Sequence, residues 1–128
     1  MNDFTRAIKA AKERGENSLA ARIDAERRIC SAIVKYALAN EILVSVCDGE
    51  EWTVKKSDKY KTIMDALFST DEDILQLRSK TGENLGRFIL IYGNDGFDVV
   101  SDYTITETTE KVWNEVIKPL SDKIESGM

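Results

Sequence analysis

The chain has 128 residues, 42% of them apolar, with a single Pro and a formal charge of −5; this is enough to bury one core and too apolar for a disordered chain. The charge is unevenly distributed, because residues 1–40 hold eight Lys/Arg against five Asp/Glu while residues 41–128 hold ten against eighteen. The acidic second part argues against direct nucleic-acid binding, which depends on clustered cations, and no apolar run approaches the roughly 18 residues of a membrane span.

The expected organisation is a single domain over 1–128, with a helical N-terminal arm at 1–40 and an acidic body at 41–128. Without an apolar leader-like stretch, the expected setting is the cytoplasm, with Cys30 and Cys47 as thiols. In chain order, Asp3 is expected to cap a short helix carrying Phe4, Ala7, Ile8 and Ala11 that ends near Gly15. A second helix opens at Asn17 or Ser18 and closes at Asn40, with Leu19, Ile23, Cys30, Ile33 and Ala37 at helical spacing. Its apolar stripe broadens only after Ile29. The second half should therefore dock on a sheet, and the first half, with Leu19, Arg22, Ile23, Glu26 and Arg27, should project and bind a protein partner or a second copy.

The segment from Ile42 to Lys56 is expected to form a hairpin. A three-residue loop of Cys47, Asp48 and Gly49 would pair Val46 with Glu50 and Val44 with Trp52, giving one apolar face of Ile42, Val44, Val46, Trp52 and Val54. Ser57 or Asp58 should then cap a helix whose Tyr60, Ile63, Met64, Leu67 and Phe68 follow an amphipathic template. Ile74 to Arg78 should be a third strand with Leu75 and Leu77 inward. Phe88 to Ile91 is four large apolar residues in succession, which alternation spreads over both faces, so this strand is expected at the centre of the sheet with both faces covered. The turn at Asn94-Asp95-Gly96 would pair Gly93 with Phe97 and Ile91 with Val99, placing Asp98 and Asp102 on one strand face. A last helix should bury Val112, Trp113, Val116, Ile117, Leu120 and Ile124, with a kink near Glu115 caused by Pro119. These elements spell an α+β fold: an antiparallel sheet of about five strands, two hairpins plus one strand, with N-terminal helices, one middle helix and a C-terminal helix.

The chain contains no His, which removes Ser-His-Asp and Cys-His nucleophilic sites and His-ligated metals. No glycine-rich phosphate loop is present. Carboxylates are the remaining chemistry: Asp48, Glu50 and Glu51 at one turn, Asp71 before the third strand, and Asp95, Asp98 and Asp102 around another turn. Turn Asp residues ordinarily bond their own backbone, so these are expected to form an acidic surface without a metal or other cofactor.

The motifs Asp48-Gly49-Glu50-Glu51-Trp52, Ser69-Thr70-Asp71-Glu72-Asp73 and Tyr92-Gly93-Asn94-Asp95-Gly96, followed by Asp98 to Thr104, resemble a group of small uncharacterised bacterial and phage- or plasmid-carried proteins. The resemblance covers about residues 41 to 105. It implies a mobile-element setting and no activity. The expected function is a non-enzymatic, partner-binding or self-associating accessory protein. Two alternatives follow from the carboxylates: an acidic nucleic-acid mimic that inhibits a host enzyme, and a metal-assisted enzyme using Asp98 and Asp102.

Overall fold

A computed structural model describes residues 2–127. The element order is α1 (Asp3–Glu13), α2 (Asn17–Ala39), β1 (Leu43–Cys47), β2 (Trp52–Ser57), α3 (Tyr60–Asp65), β3 (Glu72–Arg78), β4 (Asn84–Ile91), β5 (Val100–Tyr103), α4 (Glu107–Val112), a π-helical turn (Trp113–Ile117) and α5 (Lys118–Ser126). The fold is α+β, with one antiparallel sheet of order β2-β1-β3-β4-β5.

Local chemistry sets the helix ends. Asn2, rather than Asp3, caps α1 by accepting from the Thr5 N–H at 2.9 Å. Asn40 closes α2 as expected, its side-chain amide donating to the Tyr36 carbonyl. Thr106 and Thr109 cap α4 reciprocally, so two of the orphan N–H groups at its start are satisfied. Pro119 cannot donate to Glu115 and its ring crowds that carbonyl, and the helix widens into a π turn over Trp113–Ile117 just before it. α3 ends sooner than its apolar template implies. After Asp65 the chain reverses, Phe68 takes φ 67°, and its ring stacks on Phe4 with centroids 4.7 Å apart.

Two hairpin registers differ from the sequence expectation. In the first, Cys47 pairs with Trp52, Val46 with Val54 and Val44 with Ser57, with bulges between. The reason lies at the turn. One carboxylate oxygen of Asp48 accepts from the N–H groups of both Glu50 and Glu51, and the Asp48 N–H donates to the Glu51 carbonyl. The closure therefore spans four residues, and Trp52 moves to the face opposite Val44 and Val46. In the second, Ile91 does donate to the Val99 carbonyl, but no strand forms before Val100. Residues 92–99 are a loop drawn toward α2, where the Gly96 backbone lies so close to Arg22 that a Cβ would sit 2.8 Å from its carbonyl.

One core joins the helices to one face of the sheet. Val44, Val46, Leu75, Leu77, Phe88 and Leu90 point into it, together with Phe4, Ile23, Ile29, Ile33, Ile63, Met64, Leu67, Val112 and Ile117. The expectation that α2 projects with its first half is corrected here. α1 folds back on it as a helical hairpin, and Ile23 and Glu26 are buried. Gly86, at φ 108°, lets the start of α4 lie directly on β4; a Cβ there would meet the Thr109 methyl at 2.6 Å.

Candidate interaction surface

Strand alternation places Leu43, Ser45 and Cys47 of β1, Glu72, Ile74, Gln76 and Arg78 of β3, and Arg87, Ile89 and Ile91 of β4 on the face away from the core. Pairing extends the central row to Trp52 on β2 and Asp102 on β5, so that Trp52, Cys47, Ile74, Ile89 and Asp102 lie side by side across five strands. The expectation that both faces of Phe88 to Ile91 are covered is corrected. Phe88 and Leu90 are fully buried, whereas Ile89 and Ile91 are half-buried and belong to no part of the core. Trp52 is 43% exposed, among the most exposed large apolar side chains in the fold. It borders a shallow depression of about 190 Å³ with Ser45, Lys55, Lys56, Gln76 and Arg78.

Charge divides this face. At one end stand Lys55, Lys56, Arg78 and Arg87. At the other, Glu72 leads into a depression of about 380 Å³ formed with Asp48, Gly49, Glu50, Thr70 and Asp71. The antiparallel order brings the end of β1, the start of β3 and the end of β4 to the same edge, so the loop carboxylates Asp48, Glu50, Glu51, Asp71, Asp95 and Asp98 all sit there. Turn chemistry occupies several of them. Asp48 is held below the ordinary carboxylate range by the Glu51 and Glu50 N–H groups, and Asp98 accepts from the Asp95 N–H at 3.1 Å. Asp98 thus belongs to a loop and does not share a strand face with Asp102. Asp102 accepts from the Tyr103 N–H beside it. Among the described residues, no group of three or more Cys, Asp or Glu side chains is placed to hold a metal ion.

The five helix residues expected to bind a partner lie differently. Ile23 and Glu26 are buried, Leu19 packs on the core, Arg27 pairs with Asp24 at 2.7 Å, and Arg22 stands 3.5 Å from Glu26. They do not form one free face.

Beneath the acidic edge is a cluster that the sequence expectation did not include. Asp73 is fully buried and accepts from the Tyr92 hydroxyl at 2.6 Å and the Phe68 N–H at 2.9 Å through one oxygen, while its other oxygen has no partner. Burial raises its pKa to about 6, and the carboxylates of Asp48 and Glu72 push in the same direction. Glu26, also buried, accepts from the Gly93 N–H at 2.9 Å, and desolvation likewise raises its pKa. Cys30 lies between them, its thiol pushed up by burial and by both carboxylates. All three side chains are sealed from solvent, and a raised thiol pKa is the reverse of what a nucleophile needs. Its role is to fix the Tyr92 to Asp98 loop and the aromatic group of Phe4, Phe68 and Tyr92.

No family model, curated protein or solved structure matches the chain. No helix among the described residues is long and apolar enough to cross a membrane.

Proposed function

We propose that this is a non-enzymatic interaction protein that works by presenting the uncovered face of its sheet. The observation that carries the reading is the row of Trp52, Ile74 and Ile89, with Ile91 beside it, on a face to which no helix contributes a buried side chain. Isolated exposed apolar residues are normal, but a contiguous row with a charged rim is the usual anatomy of a docking surface. The buried acidic cluster is sealed from solvent, and Asp48 and Asp98 are engaged by backbone N–H groups of their own turns, so the sheet face carries a functional reading better than catalysis does. Relative to the sequence expectation, the interface moves from α2 to the sheet.

A photo-crosslinking amino acid placed at Ile89 tests this, with Lys111, whose side chain is exposed on α4, as the control position. In cells making the full chain, the position 89 probe is expected to give an adduct of discrete mass that the position 111 probe does not. Absence of a discrete adduct at position 89, or the same adducts at both positions, would contradict the reading.

A further inference from the structure

We infer that the occupant of the open face is a second copy of this chain, stacked face to face about a two-fold axis that runs along the Trp52, Cys47, Ile74 and Ile89 row. This rests on the docking role proposed above and adds the identity of the partner.

Charge is distributed oppositely on the two sides of that row. Counting along β3 from Ile74, Gln76 and Arg78 lie on one side and Glu72 on the other, followed by Asp71 and Asp48 at the loops. Along β4, Arg87 lies on the same side as Arg78, and Ile91, paired with Glu72, lies opposite. Lys55 and Lys56 border the Arg78 side. Rotation by half a turn about the row sets each strand antiparallel to its own copy. The apolar row then meets itself, Arg87 of each copy faces the Glu72 and Ile91 side of the other, and Arg78 and the lysines face Asp48 and Asp71. An isologous interface needs this kind of self-complementarity, in which a feature on one side of the axis finds its opposite on the other.

A second observation supports the pairing. Among the described residues, Lys55, Lys56, Arg87, Asp71, Glu72 and Asp102 make no ion pair within their own chain. Their charges are therefore available across an interface. Sheets stack about 10 Å apart with strands within about 30° of alignment, a gap that Trp and Ile side chains fill and Arg side chains span. Five strands spaced about 4.8 Å and three intervals of about 7 Å between the four open-face rows give a footprint of about 24 by 20 Å. Two copies would bury on the order of 1,000 Å², the lower bound for a specific interface and a size typical of weak, transient associations.

Sedimentation equilibrium of the full chain, from about 1 to about 500 μM, is expected to show the mass rising from one chain toward two, with a micromolar midpoint. Arg87→Glu and Glu72→Arg should each weaken association about tenfold or more, and the two together should restore it, because each then faces its complement again. Both side chains are exposed, so the fold should survive, as far-ultraviolet circular dichroism would show. A folded chain that stays monomeric throughout this range overturns the inference, and so does a double variant that associates no better than the singles. If the chain is monomeric while the probe at position 89 captures a different protein, the second-copy inference falls and the docking role stands. If that probe captures nothing, both fall. Quenching of Trp52 emission in a monomer by single-stranded RNA would also overturn the inference, in favour of base stacking on the same face.

Discussion

Replacing Asp73 with Asn should change how stability depends on pH more than it changes stability itself. Asp73 occupies a core position of β3 opposite Leu90, and its unpartnered oxygen is sealed from water. The folded state holds the carboxyl at a pKa of about 6, against an ordinary 3.8. Because the folded pKa is the higher one, the folded protein binds more protons than the unfolded chain in this interval. The associated stability is complete below about pH 3.8 and is lost as pH rises through about 6. The gap corresponds to about 3 kcal/mol, on the order of 2 to 3 of which falls between about pH 4 and pH 8. Asn cannot titrate and keeps a carbonyl oxygen for the Tyr92 hydroxyl and the Phe68 N–H. Urea unfolding of both proteins across that range should therefore show wild type losing about 2 to 3 kcal/mol relative to Asp73→Asn as pH rises. Carboxylates common to both proteins that do not act on Asp73, such as Asp65, whose pKa is lowered, cancel in the difference. Parallel curves would refute the assignment of Asp73 as a buried, desolvated acid.

Further outcomes follow from the same core. Phe4→Ala should cost about 3 to 5 kcal/mol in chemical unfolding, because the ring is fully buried between Phe68 and Tyr92 and its loss loosens α1 from α2. A cost under about 1 kcal/mol would mean that α1 is not part of the core. Gly86→Ala should destabilise by more than about 1 kcal/mol, since it combines a left-handed backbone with a Cβ that overlaps the Thr109 methyl; a neutral result would place α4 farther from β4. Tyr103→Phe should cost about 1 kcal/mol by removing a 2.6 Å hydrogen bond to Glu110 that holds α4 to β5, and hydrogen exchange should rise in α4 first.

Much of the fold was legible because it rests on alternation and helical period. The inward positions Leu75 and Leu77, the strand over Phe88 to Ile91 and the interruption before Pro119 can all be read from spacing. The loop geometry could not be read that way. A three-residue and a four-residue closure around Asp48-Gly49 differ by hydrogen bonds to one carboxylate, and that difference sends Trp52 to the other face. The run Phe88 to Ile91 was misleading for a related reason: it shows that both faces are apolar but cannot show whether the second is covered within one chain. The buried acids did leave a signal. Asp73 precedes Leu75 and Leu77 in the same inward series, and Glu26 falls between Ile23 and Cys30 in the buried stripe of α2. A charged residue at such a position is normally read as a break in the pattern, and here the Gly93 N–H, the Phe68 N–H and the Tyr92 hydroxyl accommodate it.

The most direct test of the uncovered face is the environment of Trp52. With Trp113 replaced by Phe, Trp52 becomes the sole tryptophan, and its quenching by acrylamide can be followed from low to high chain concentration. Efficient quenching and red-shifted emission are expected when the chain is dilute, giving way to protection and a blue shift as the open faces meet. Emission that stays protected at every dilution would show that the face is already covered within one chain, and emission that stays water-exposed at every concentration would show that nothing of this chain covers it.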